Sequence, residues 1–155
     1  MTDLNELYQS VILDHSRRPR NFGPLAGATG SAPGRNTMCG DELTVWVAVD
    51  GDTLRDVHFV GTGCAISKAS ASLMTQAVKG KSRAEAQALF DRVHAMLTGR
   101  DAEAAKGGPN GPLGSLAALA GVSRVPVRVK CASLAWHTLM AALGESPSGA
   151  PVSTE

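Results

Sequence analysis

Three thiols and one carboxylate are the residues of this chain best suited to chemistry. Cys39-Gly40-Asp41 offers a sulfur and an oxygen separated by a glycine, which leaves the backbone free to turn both side chains toward one point. Cys64 follows Gly61-Thr62-Gly63, where a strand should give way to a helix, and Cys131 falls in the first turns of the last helix. A thiolate at a helix start is favoured by the unpaired amides and the helix dipole. Zinc takes four donors in a tetrahedron, and thiolate, imidazole and carboxylate are the side chains it accepts. Cys39, Asp41, Cys64 and Cys131 are therefore a candidate zinc site, although a sulfur-rich set would also accept iron or copper(I). Three thiolates and a carboxylate around Zn²⁺ leave a net charge of about −2, which is costly to bury without a cation nearby. Arg128 and Lys130, just before Cys131, could supply that charge or could simply form a solvated helix start. Spacing alone has a plainer explanation too. Free cysteine is among the most buried residue types, and no C-x-x-C pair is present, so three core thiols would also account for the pattern.

Other chemistries find less support. His15, His58, His94 and His137 lack the spacing of a zinc-binding helix and read as surface or packing residues. Ser67, Ser70 and Ser72 read as small helix residues that allow close packing, and no serine sits in a nucleophile elbow. The glycine-rich stretch 107–114 lacks the Gly-Lys-Ser/Thr ending of a phosphate cradle.

The elements that must position the four donors follow from hydrophobic pattern. Leu4, Leu7, Tyr8, Val11 and Ile12 form one helical stripe, which should end near Asp14-His15 ahead of Pro19. Five glycines with Pro24 and Pro33 make residues 20–40 irregular, with room for a short strand near Ala28–Ala32. Leu43, Val45, Val47 and Val49 alternate as a half-buried strand. Asp50-Gly51 supplies a turn, and Val57, Phe59 and Gly61 return antiparallel. A helix should run from Cys64 to about Gly80, and a second from the capping box at Ser82–Glu85 to about Gly99. A short helix at Ser115–Ala120 and a last one that begins just after Pro126 and is ended by Gly144 complete the series. The expected fold class is α+β, a small antiparallel sheet of about three strands covered on one side by helices. A single domain over 1–144 and a disordered Ser/Pro/Gly-rich tail over 145–155 are expected.

Composition excludes some partners. The chain has 155 residues, 19% of them charged and 43% hydrophobic, with a formal net charge of +1. Arg17, Arg18 and Arg20 form the one dense basic cluster, and no aromatics are interleaved there for bases to stack on, so no nucleic-acid partner is expected. No run approaches the roughly 18 apolar residues of a membrane span, and the N-terminus has no export-signal pattern. A cytoplasmic location follows as the expectation, and three cysteines there imply free or metal-bound thiols, not a disulfide framework.

Four motifs in order then carry a resemblance. Asp14-His15-Ser16-Arg17-Arg18-Pro19-Arg20-Asn21, Cys39-Gly40-Asp41, Gly63-Cys64-Ala65-Ile66-Ser67 and Val129-Lys130-Cys131-Ala132 together resemble the IscU-like (NifU N-terminal domain) iron–sulfur assembly proteins, most closely their SufU type. The scaffold branch of that family typically has a histidine where this chain has Lys130, and a protonated lysine has no lone pair for a metal. Ser82–Gly121 matches the extra length of the SufU type. The resemblance implies the SufE/IscU-like fold and a zinc-dependent sulfurtransferase serving iron–sulfur cluster assembly. Asp41, Cys64 and Cys131 would hold zinc, and Cys39 would be the exchangeable ligand and nucleophile. A SufS-type cysteine desulfurase would dock, a histidine of that partner taking over one zinc position, and Arg128 would steady the site or the partner. Downstream iron–sulfur assembly proteins would receive the sulfur. A scaffold that builds iron–sulfur clusters on the same residues is the alternative. The Arg17–Arg20 cluster and the rim around Cys39 are the expected contacts of the desulfurase.

Overall fold

The computed structural model describes residues 2–36, 40–98, 113–144 and 152–153. Helix α1 (Thr2–Arg17) leads through an irregular stretch to strand β1 (Gly30–Asn36). Strands β2 (Asp41–Asp50) and β3 (Thr53–Thr62) form the expected hairpin, with Gly51 at φ +63° in its turn. Helices α2 (Ala65–Val78) and α3 (Arg83–Leu97) follow, then a 3-10 helix over Gly114–Arg124, helix α4 (Pro126–Ala142) and the two-residue strand β4 (Val152–Ser153). The sheet order is β3-β2-β1-β4. The first three strands are antiparallel, with Asn36 opposite Asp41 and Glu42 opposite Thr62. β4 adds a short parallel edge beside Gly34 and Arg35. Of the stretch 145–155, only Val152–Ser153 lie within the described residues.

Alternation in the sequence becomes the two faces of the sheet. Val45, Val47, Val57 and Phe59 are fully buried under α2 and α4. Trp46 and His58, directly paired, point to the other side and stay half-buried. Trp136, Leu134 and Leu139 of α4 fill the middle of this two-layer core, with Leu73 and Met74 of α2 beside them. Burying a side chain of this size contributes about 1.5–3 kcal/mol, so the inner face of the sheet and these two helices dominate the stability of the unit.

Several boundaries differ from expectation for identifiable reasons. α1 runs on to Arg17, because the chain turns only at the Arg18–Pro19 step. β1 lies later than 28–32, over Gly30–Asn36, since pairing with β2 overrides the low strand propensity of Gly30, Pro33 and Gly34. The segment expected as a short helix at Ser115–Ala120 is a longer 3-10 helix. The α3 capping box is present in full, Ser82 Oγ accepting from Glu85 N–H at 3.0 Å and Glu85 accepting from Ser82 N–H at 3.0 Å. Among the described residues no helix is long and apolar enough to cross a membrane.

Candidate metal centre

Asp41 opens β2 and is fully buried. Gly40 just before it sits at φ +70°, a left-handed conformation that suits glycine. The Asp41 carboxylate meets the far end of the hairpin, where its Oδ1 accepts the backbone N–H of Cys64 at 2.9 Å. Gly63 makes that approach possible. Its φ is +142°, and a Cβ there would overlap Asp41 Oδ1 and lie 2.8 Å from Asp41 Cα. The glycine before Cys64 is therefore required by a carboxylate that lies far from it in sequence.

Cys64 is the N-cap of α2, and its sulfur accepts from Ser67 N–H at 3.4 Å. The thiol faces Asp41 Oδ2 at 3.9 Å. Cys131 is fully buried early in α4, a helix that begins with Pro126 at a position where the ring presets φ and no N–H is needed. Its sulfur lies 3.7 Å from the Val127 carbonyl one turn earlier. The donor atoms of Asp41, Cys64 and Cys131 all lie within 4.8 Å of one another. Cys39 lies outside the described residues.

The donor set fits a zinc ion. Zn–S bonds of about 2.3 Å give a tetrahedron with edges of about 3.7 Å, so atoms within 4.8 Å close on one ion with shifts on the order of 1 Å. Two thiols and a buried carboxylate suit zinc, and they suit iron too. Arg128 stands at the rim, exposed to solvent. Charge attraction from Cys64, with a hydrogen bond to Cys131, holds its guanidinium above the ordinary arginine value. Beside Cys64 a cleft of about 650 Å³ opens, lined by Ile12 and Leu13 of α1, Ile66 of α2, Val122, Val125 and Arg128. One wall of the site is thus cationic and the surface next to it apolar.

The histidines stand apart from this cluster. Buried His15 places Nδ1 2.7 Å from Ser72 Oγ, and that oxygen also accepts the Arg20 N–H at 2.8 Å. His94 and His137 pack edge to face 5.7 Å apart, each also against Phe90. His58 lies 3.5 Å from Asp56 on the outer face of the sheet. The stretch from Asp14 to Asn21 acts as a clamp. Arg20 and Arg18 both reach Asp14, at 2.5 and 2.8 Å, and hold its carboxyl below the usual aspartate value. Asn21 donates to Thr75 at 3.0 Å, and its carbonyl accepts the Phe59 N–H. Arg18 and Arg20 thus pair with Asp14 while Arg18 stays largely exposed at the surface.

Comparison with known proteins matches residues 7–148 to the NifU-like N-terminal domain. The chain is 42% identical over 146 residues to the iron–sulfur cluster assembly scaffold protein IscU of Streptococcus pyogenes serotype M1, covering 94% of this chain and 88% of that one. It is 38% identical over 147 residues to the zinc-dependent sulfurtransferase SufU of Bacillus subtilis (strain 168), covering 95% and 96%. Among solved structures, a crystal structure of a hypothetical protein aligns with a TM-score of 0.78 at 40% identity, covering 90% of this chain and 98% of that one.

Proposed function

This chain belongs to the NifU-like N-terminal domain family, and from that premise we propose that it is a zinc-dependent sulfurtransferase that serves iron–sulfur cluster assembly. The observation that carries the reading is the convergence of Asp41, Cys64 and Cys131 within 4.8 Å, next to the cation Arg128. Lys130 stands where a scaffold of the resembled type would offer a histidine, and a protonated lysine donates no electron pair to a metal. The relative named as a zinc-dependent sulfurtransferase matches over almost its whole length.

In this reading Asp41, Cys64 and Cys131 hold zinc, and Cys39, two residues from Asp41 and so within about 7 Å along the chain, completes the set. Bound zinc would keep the thiols ionised near neutral pH and mask them between turnovers. A cysteine desulfurase of the SufS type presents a persulfide on its own cysteine. The Cys39 thiolate attacks the outer sulfur, a new S–S bond forms on Cys39, the partner's S–S bond breaks, and the partner cysteine leaves as a thiolate. No external oxidant or reductant is consumed. Arg128 lies where it offsets the negative charge of the donor set and of the approaching persulfide.

A cluster scaffold is the second reading, favoured by the greater identity to a relative named as one. Sulfide release by a SufS-type desulfurase, measured anaerobically with cysteine and reductant, tests the first. The expected result is a large rate increase on adding the chain, lost in Cys39→Ser. No increase, together with a stable and transferable cluster after anaerobic reconstitution, would favour the scaffold.

A further inference from the structure

The metal centre is built from two halves that are held in different ways. Asp41 and Cys64 are joined directly by their 2.9 Å hydrogen bond. Cys131 rides on α4, whose position depends on the hydrogen bond from Ser70 Oγ to the Ala132 carbonyl at 2.5 Å and on packing against the sheet. Over β1 that packing is closest at two glycines, which share the inward face of the strand with Ala32 and Asn36. A Cβ at Gly34 would overlap Thr138 Oγ1 and lie 3.3 Å from both Leu134 Cδ1 and Thr138 Cβ. One at Gly30 would overlap the Ala142 carbonyl. Neither glycine has a positive φ, so it is the closeness of α4 that requires them.

Thr138 cannot easily yield. It is fully buried, and its hydroxyl donates to the Leu134 carbonyl at 2.7 Å. It also lies seven residues after Cys131, two turns along the same face of α4. On the strand side, β1 is locked to β2 in a register that places Asn36 opposite Asp41. A continuous path of close contacts thus joins Cys131 to Asp41 through Thr138 and Gly34.

We propose that Gly34, seated on Thr138, is a positioning residue of the metal centre that sets how near Cys131 comes to the Asp41–Cys64 pair. The inference rests on the reading that these three donors share a metal ion. Their 4.8 Å spread already exceeds the edge of a zinc tetrahedron, so an outward shift of α4 by the width of a methyl group leaves Cys131 out of reach.

Zinc competition and cobalt substitution on the full chain test it. Gly34→Ala is expected to weaken zinc at least about tenfold, the scale seen when outer-shell supports of a metal site are removed. The thiolate-to-cobalt charge-transfer band should weaken with it. Thr138→Ala, combined with Gly34→Ala, removes the Oγ1 that the new methyl would overlap, leaves only the 3.3 Å contacts, and should restore both. Should Gly34→Ala fail to fold, Thr138→Ile adds bulk from the helix side beneath an unchanged Gly34, and the same loss is expected. Wild-type affinity and spectrum in the folded single variants, or a loss that Thr138→Ala does not restore, would overturn the proposal. A wild-type chain without any thiolate–cobalt band would instead refute the donor set itself, and the positioning role with it.

Discussion

Asp41 Oδ1 accepts the Cys64 N–H at 2.9 Å, so the first residue of β2 and the N-cap of α2 form one unit. The same carboxylate thus has two tasks. One oxygen closes the end of the hairpin, and the other faces the Cys64 thiol at 3.9 Å. Asp41→Asn keeps an acceptor for the amide and removes the charge. We expect that variant to fold but to bind zinc at least about tenfold more weakly. Asp41→Ala also orphans the Cys64 N–H and should cost a further 1–3 kcal/mol or so of stability in urea unfolding.

Gly63→Ala should damage the site without replacing a donor. The new methyl would overlap the Asp41 carboxylate, and the residue would be held at a φ of +142° that alanine rarely adopts. Strain of this kind costs on the order of 1–3 kcal/mol. A urea midpoint within error of wild type would show that the hairpin end adapts more freely than its packing implies.

In the proposed reading Arg128, exposed beside Cys64 and Cys131, acts by charge, and its guanidinium has no lone pair to offer a metal. Arg128→Ala should leave zinc content within about twofold of wild type and lower the desulfurase-stimulated rate about tenfold or more, as loss of a charge-assisted contact does. Loss of zinc in parallel with rate would mean that it acts chiefly on the donor set.

His15 should give the fold a pH dependence. Burial, followed by the charge of Arg20, holds its imidazole below the ordinary histidine value. The unfolded chain therefore takes up a proton first as pH falls. Stability from this group is complete above the unfolded value of about 6.5 and declines as pH drops below it. His137, lowered by burial and then by His94, works in the same direction. Urea midpoints at pH 7.5 and 5.5 should differ less in His15→Gln than in wild type. An equal difference would leave His137 as the source.

How much was legible in the sequence depended on how local each cause was. The capping box at Ser82 and Glu85, Pro126 at the start of α4 and the Asp50-Gly51 turn depend on neighbours a few residues away, and all are present. Cys64 was readable as a helix start for the same reason. Gly63 was legible as part of a motif and Gly34 as one of the glycines of an irregular stretch, but not why either must be glycine, because the atoms that exclude a side chain there belong to Asp41 and Thr138. The Arg17–Arg20 cluster was legible as a basic surface, but not the ion pairs of Arg18 and Arg20 with Asp14 or the Arg20 N–H bond to Ser72 of α2, which depend on the folded chain. Periodicity found the helical run after Leu113 but does not tell i→i+3 from i→i+4 bonding, hence the 3-10 helix in place of a short α-helix.

The central claim is that Cys39 accepts sulfur. Its most direct test is the mass of the chain, and of its Cys39-containing peptide, after one anaerobic turnover with a SufS-type desulfurase and cysteine. The account predicts one added sulfur atom on Cys39, removed by reductant and absent in Cys39→Ser. A chain that gains no sulfur under conditions where the desulfurase itself is persulfidated, or that carries it on Cys64 or Cys131 instead, would contradict it.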